Sequence, residues 1–178
     1  RGEKGGNTMN RLVTMLTLIC LSIQADEAIK KALTPPLNMH EKIICLTILL
    51  EARGEGNKGM YFVAGTIAQR MLNRGLHPTT ICRQRKQFSC WNDGKTVKDC
   101  EHLLKTKQAT YASLLARALN MSYRNRLLID VNYTRKADHY YSKKIMKKPP
   151  YWAFDPITKE PIQPVAVVGN HVFYKLKK

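Results

Sequence analysis

Acidic residues are scarce in this sequence. Only 13 Asp and Glu stand against 30 Lys and Arg, and the formal net charge over 178 residues is +17. A field of that sign favours a polyanionic partner, either a nucleic acid or an anionic surface such as a bacterial envelope. A basic face that only keeps the protein soluble is the alternative. Because the chain lacks a nucleic-acid-binding module and any interleaving of aromatic and basic residues, we expect an anionic envelope surface and no nucleic acid.

Metal-binding spacings are missing as well. The five cysteines form no C-x-x-C pair, and the five histidines form no H-x-x-x-H pair. Those spacings place two ligands on one side of a turn or helix, where they can share an ion. The sequence therefore predicts no metal site, and we expect no cofactor. The histidines are His40, His77, His102, His139 and His171.

The apolar run near the N-terminus, residues 12–23, is too short to cross a bilayer comfortably as a helix. It follows a basic stretch and precedes small residues near Ala25, which is the pattern of a secretory signal peptide. We therefore expect residues 1–25 to be upstream residues and a signal, and the protein to act in the periplasm, in the cell wall or outside the cell. An uncleaved short anchor is the alternative. Paired prolines predict a linker over residues 26–38, which leaves one domain over residues 39–178.

Export gives the cysteines a specific meaning, because an oxidising compartment permits disulfides. Cys45 lies inside an apolar run and is predicted to be a small buried hydrophobe. Cys82, Cys90 and Cys100 flank one loop-like region, and a bridge between two of them is expected.

Helical patterns occupy the first part of the domain. Asn38 is placed to cap a helix that begins near Met39, and the run IICLTILL predicts that this helix is central and buried. Glycines then break regular structure before a second helix, which Gly75 ends. The second helix is predicted to bury Val63, Ala64, Ile67, Ala68, Met71 and Leu72 and to expose Thr66, Gln69, Arg70 and Asn73. A third helix over residues 109–120 is predicted to bury Tyr111, Leu114, Leu115, Ala118 and Leu119.

Strand patterns appear only in the C-terminal third. The segment ADHYYS is short and aromatic, and Gly169-Asn170 is a two-residue turn between two β-rich segments. Helices followed by a small antiparallel sheet predict an α+β fold.

Glu51 stands at the edge of the first buried run, in the stretch ILLEARGEGNKGM. Partial burial and the negative end of the helix dipole both favour the protonated carboxyl, which is the form that a general acid needs. Glu55 lies four residues later in a glycine-rich stretch and is the weaker candidate. A helix-end carboxylate with a purely structural partner is the alternative reading of Glu51.

Five short motifs in order resemble those of the SleB/CwlJ-type cell wall hydrolases, the spore cortex-lytic family. They are EARGE (51–55), an alanine-rich helix ending at Arg70, QFS (87–89), His139-Tyr140, and the segment from His171 to Tyr174. Gln69 stands at the position before Arg70 where the family usually has an asparagine. The resemblance covers roughly residues 40–175, nearly all of the domain.

The resemblance implies a peptidoglycan-degrading enzyme with a lysozyme-like, lytic-transglycosylase-like helical core. Glu51 would protonate the oxygen between MurNAc and GlcNAc and then act as base toward the C6 hydroxyl of MurNAc. It also implies a catalytic domain at 39–178, a monomer, and glycan strands as substrate. The residues expected to contact the glycan substrate are Glu55, Gln87, Phe88, Ser89, Trp91, His139 and Tyr140.

Three other functions stay open on the sequence. A muramidase would cleave the same bond with water and would need a second carboxylate about 5–10 Å from the first. An amidase would cut the stem peptide instead. A non-catalytic basic domain would only bind the wall.

Overall fold

The computed structural model describes residues 35–92, 94–123 and 126–176, and those from Leu37 onward belong to one compact unit. The predicted signal segment and most of the predicted linker lie outside the described residues. Within those three ranges, no helix is long and apolar enough to cross a membrane.

The first helix, α1 (Met39–Ala52), is the centre of the helical core. Asn38 and Glu41 form a capping box, in which the Asn38 side chain accepts from the Glu41 backbone N–H and the Glu41 carboxylate accepts from the Asn38 N–H, each at 3.0 Å. Residues from Ile44 to Leu49 are fully buried. Both the cap and the central position of this helix are therefore confirmed.

The second helix, α2 (Gly56–Arg74), follows α1 after one 3₁₀ turn, Arg53–Glu55. It ends at Gly75, whose φ of +64° is the left-handed conformation expected of a C-terminal cap. The prediction that the glycines break regular structure is wrong for Gly59, which lies inside α2. A side chain at Gly59 would collide with the Cβ of Glu55, so glycine lets the turn and the helix approach each other.

The buried side of α2 is wider than its apolar stripe. Thr66 and Arg70 were predicted to face solvent, but they are 0% and 4% exposed. Leu72 was predicted to be buried, but it is 58% exposed. The reason is that α2 packs against helices on one side and against the C-terminal sheet on the other.

The remaining helices complete the core around α1 and α2. They are α3 (Pro78–Arg83), α4 (Val97–Cys100) and α5 (Lys107–Ser122). In α5 the buried residues are Ala109, Ala112, Leu115, Ala116, Leu119 and Ser122. Leu114 is 60% exposed, so the predicted stripe was rotated: small alanines are among the buried residues, and α5 packs closely on α1.

The C-terminal third forms a three-stranded antiparallel sheet of order β1-β3-β2. The strands are β1 (His139–Ser142), β2 (Ala166–Val168) and β3 (His171–Tyr174). Gly169, with φ of +55°, starts the turn that joins β2 to β3, which confirms the predicted hairpin. Helices followed by a small antiparallel sheet also confirm the α+β class.

The sheet buries a different cluster on each face. Phe173 packs on the inner face against Phe62 of α2. Val172 and Tyr174 pack on the outer face beneath residues 152–162, among them Trp152. Alternation along the strands therefore decides which side chains can reach the helical core.

Candidate active site

Glu51 lies in the last turn of α1, one residue before the helix ends at Ala52. Its side chain is partly buried. The capped helix below it and the 3₁₀ turn after it hold this position, so the predicted placement at the edge of the apolar run is confirmed.

Three donors converge on the Glu51 carboxylate. Oε1 accepts from the backbone N–H of Cys90 at 3.2 Å and from the hydroxyl of Ser89 at 3.4 Å. Oε2 accepts from the phenol of Tyr140 at 2.8 Å. The site therefore joins α1, the 3₁₀ turn Ser89–Trp91 and the inner face of β1.

The neighbours of Glu51 stay protonated. Burial raises the pKa of Tyr140 well above its ordinary range, and the negative charge of Glu51 acts in the same direction. Burial also raises the pKa of the Cys90 thiol, again assisted by Glu51. Tyr140 is thus a hydrogen-bond donor at neutral pH, and Cys90 is an unreactive thiol.

If Glu51 has the acid role that the resemblance implies, replacing Tyr140 by phenylalanine is expected to lower the rate of peptidoglycan digestion about 10- to 100-fold, because one charge-assisted hydrogen bond to Glu51 is lost. The measurement is the initial rate of release of soluble fragments from purified sacculi. Tyr123→Phe is the matched control, since Tyr123 contacts His77 and not Glu51. Equal rates for the two variants would contradict a role for the Tyr140 hydroxyl.

The two residues that precede Ser89 hold its turn against the rest of the protein. Phe88 is 1% exposed, and it packs against the guanidinium of Arg70 at 5.1 Å and the ring of Tyr140 at 6.4 Å. Gln87 accepts through its side-chain oxygen from Arg74 at 3.2 Å. Phe88 therefore supports the site by packing, while Gln87 and Ser89 lie nearer its surface.

Trp91 is tied to α1 and does not stand free in a groove. Its indole N–H donates to the Thr47 hydroxyl at 2.9 Å, and the guanidinium of Arg83 lies 4.8 Å from its ring centroid. One face of the indole is thus already covered by a cation.

His139 and Tyr140 are neighbours in sequence, but the structure separates them. Tyr140 points to the inner face and contacts Glu51, whereas His139 lies against Trp152 of the outer cluster, with ring centroids 5.2 Å apart. The Nδ1 of His139 also pairs with Asp138 at 3.0 Å. The structure therefore brings Glu51, Ser89 and Tyr140 together and leaves His139 behind the sheet.

Glu55 is engaged by the hairpin turn. Its carboxylate accepts from the backbone N–H of Asn170 at 2.9 Å and from the Asn170 side-chain amide at 3.0 Å. Desolvation raises the pKa of Glu55, but the Asn170 bonds and the interactions with His171 and Lys144 outweigh it and lower the pKa overall. A side chain at Gly169 would collide with this carboxylate. We call this arrangement of Glu55, Gly169 and Asn170 the hairpin clamp.

His171 is buried beside Tyr140. It is 4% exposed, and its ring meets that of Tyr140 edge-on at 5.1 Å. Among the residues that the structure describes, its Nδ1 has no hydrogen-bond partner. Burial lowers the pKa of His171, and the charges of Glu55 and Glu51 offset this only in part.

The free energy of unfolding is expected to fall as the pH drops below 6.5, the ordinary value for imidazole. Below pH 6.5 the imidazole of residue 171 is protonated in the unfolded chain but stays neutral in the folded protein, because its folded-state pKa is lowered. The contribution of His171 to the free energy of unfolding is therefore fully present above pH 6.5 and is lost on acidification. Denaturant unfolding between about pH 8 and about pH 5 should show a shallower loss for His171→Gln than for the wild type. Parallel profiles would contradict this, because the other four histidines are common to both proteins.

Two functional positions escaped the sequence analysis. The buried Arg70 donates to the carbonyl of Asp138 at 2.7 Å and to the carbonyl of Gln87 at 3.4 Å, so it joins β1 to the turn that carries Ser89. The backbone N–H of Cys90 is the other. A backbone donor has no residue-type signal, and a polar residue at helical spacing is normally taken for a surface residue.

The described cysteines are all free, and the expected disulfide is not formed in the structure. Cys82 and Cys100 lie inside the apolar core, and burial raises the pKa of Cys82 to about 12. Cys45 is fully buried, as predicted. Over the same described ranges, no group of three His, Cys, Asp or Glu side chains is arranged to hold a metal ion.

A family model described as Cell Wall Hydrolase matches residues 54–174. That range is about two thirds of the chain and contains the hairpin clamp, the 3₁₀ turn Ser89–Trp91 and the whole sheet. The chain belongs to the cell wall hydrolase family. Membership identifies an enzyme that degrades peptidoglycan and acts at or outside the wall. No curated protein and no solved structure matches the sequence.

The family match begins at Gly54, three residues after Glu51. It therefore covers all three donors, Ser89, Cys90 and Tyr140, but not the carboxylate that they contact.

Proposed function

We propose that this hydrolase is a lytic transglycosylase of the SleB/CwlJ type, with Glu51 as its single acid and base. The observation that carries the proposal is the convergence of three donors, from Ser89, Cys90 and Tyr140, on the Glu51 carboxylate. A carboxyl group held at the edge of the apolar core and facing a polar turn is suited to exchange protons with a bound sugar. The helical core would then be of the lysozyme-like type.

The proposed reaction has two proton transfers. Protonated Glu51 gives its proton to the oxygen between MurNAc and GlcNAc, and the C1–O bond breaks. The Glu51 carboxylate then takes the proton of the MurNAc C6 hydroxyl, whose oxygen bonds to C1 and closes the 1,6-anhydro ring. Glu51 ends protonated as it began, and no water is consumed. Tyr140 and Cys90 stabilise the carboxylate between the two transfers.

The state of Glu55 favours one carboxyl over two. A muramidase would need a second carboxylate free to act as a base or nucleophile. Glu55, the nearest acidic residue in sequence, is instead occupied by both donors of Asn170. Both of its carboxylate oxygens are thus engaged in holding the turn that joins β2 to β3, and this structural task supports the single-carboxyl mechanism.

A double-variant experiment separates the two mechanisms. If Glu55 only holds the hairpin, Glu55→Gln and Asn170→Ala each lower the digestion rate by a similar factor of at most about ten. The double variant should then be little slower than either single variant. If Glu55 activates water, Glu55→Gln loses far more activity than Asn170→Ala. That second result, with reducing ends in the products, would replace the transglycosylase by a muramidase.

The basic surface supports attachment to an anionic envelope. Lys143, Lys144, Lys147 and Lys148 are exposed in the loop after β1. The first of them donates its backbone N–H to the carbonyl of Asn170 at 2.8 Å, so the loop is fixed beside the hairpin clamp. We propose that these lysines attract the enzyme to the charged wall, and that the protein works there as an exported monomer.

A further inference from the structure

A large cavity lies on the outer face of the sheet. Its volume is about 1130 Å³, and its walls come from residues 151–163 and from the chain just after β3. It is larger than the cavities of about 300–1000 Å³ that usually hold drug-sized ligands, so it has room for several linked sugars.

The cavity and Glu51 are on opposite faces of the sheet. Trp152, in the wall of the cavity, packs on Tyr174 with ring centroids 5.6 Å apart and on His139 at 5.2 Å. Tyr140, which holds Glu51, points to the inner face. A ligand in the cavity would therefore leave the Glu51 site open.

Aromatic side chains line the cavity and one of them is almost entirely in solvent. Tyr151 is 89% exposed, although it begins a 3₁₀ turn whose next two residues are packed on the sheet. An exposed tyrosine in the wall of a groove offers a ligand both an apolar ring and a hydroxyl group. Its flat face suits the apolar face of a sugar ring.

The charges in the wall cancel. Asp155 and Glu160 stand against Lys159 and Lys175, in a chain whose net charge is +17. A nucleic acid or an anionic lipid surface would meet two carboxylates here and would find a more favourable surface elsewhere. Mixed donors and acceptors around aromatic faces instead complement an uncharged ligand that is rich in hydroxyl and amide groups.

We propose that this cavity is a second saccharide-binding site, which takes a segment of N-acetylated glycan strand with Tyr151 stacked on a sugar ring. The partner class follows from membership in the cell wall hydrolase family and does not depend on the transglycosylase mechanism. The site holds the enzyme on its insoluble polymer while the opposite face of the sheet is free to react.

The test measures binding in the full chain carrying Glu51→Gln, so that the polymer stays intact. Isothermal titration with a soluble β-1,4-linked N-acetylglucosamine oligomer and co-sedimentation with purified sacculi are compared for Tyr151→Ala and for Tyr123→Ala, an exposed tyrosine outside the cavity. Tyr151 is so exposed that its removal leaves the core unchanged. We expect Tyr151→Ala to weaken binding to sacculi about tenfold and to remove one class of oligomer site, with no change for Tyr123→Ala.

Equal affinity and stoichiometry for the two tyrosine variants would overturn the proposal. So would weaker binding to sacculi for Lys159→Gln with Lys175→Gln but not for Tyr151→Ala, because attachment would then be electrostatic. The N-acetylglucosamine oligomer contains no MurNAc–GlcNAc bond, so its titration involves no turnover whether or not Glu51 is the acid, and failure here is distinct from failure of the proposed reaction.

Discussion

Replacing Glu51 by glutamine is expected to lower the rate of peptidoglycan digestion about 10³-fold. The amide has nearly the shape of the carboxyl group and still accepts from the N–H of Cys90, but it cannot donate a proton to the glycosidic oxygen. The measurement is the initial rate at which soluble fragments leave labelled sacculi, together with the melting temperature of each protein.

The control for this variant is Glu101→Gln, which makes the same change at a carboxylate paired with Lys42 near the surface. Its activity and melting temperature should stay close to those of the wild type, because such a pair contributes little to stability. If Glu51→Gln kept a tenth of the wild-type rate with an unchanged melting temperature, Glu51 would not be the general acid.

Replacing Arg70 by alanine is expected to destabilise the fold by about 3 kcal/mol, the second large effect. Arg70 is 4% exposed, and its guanidinium donates to the carbonyls of Asp138 and Gln87. Without it, these two acceptors lose a donor and the ring of Phe88 loses its packing partner. Denaturant unfolding of both proteins measures the difference.

Arg74→Ala is the matched control for Arg70, one helical turn further along α2. Arg74 is exposed and donates to the side-chain oxygens of Gln84 and Gln87. We expect it to change stability by less than about 0.5 kcal/mol. Similar losses for the two arginines would contradict the role of Arg70 as the link between β1 and the Ser89 turn.

The predictions that hold are the ones with local signals. The Asn38 cap depends on a residue and a partner three positions away. The left-handed Gly75 and the Gly169-Asn170 turn depend on backbone conformations that glycine adopts easily. The place of Glu51 followed from a run of apolar residues that can only be buried. Each of these features is decided by neighbours in sequence.

The features that escaped prediction depend on distant contacts. Glu55 and Asn170 are 115 residues apart, and neither has a residue type that predicts the other. Arg70 looks like a surface residue until the sheet is placed on α2. Alternation along β1 sends His139 and Tyr140 to opposite faces, but only the packed structure shows which face meets the helices.

The measurement that tests the central claim most directly is digestion of purified peptidoglycan in water labelled with the heavy oxygen isotope. Mass spectrometry of the released muropeptides then shows whether water entered the product. With Glu51 as the single acid and base, the new MurNAc ends should be 1,6-anhydro and should carry no label. Labelled reducing ends would show that water attacked C1, and they would contradict the transglycosylase mechanism.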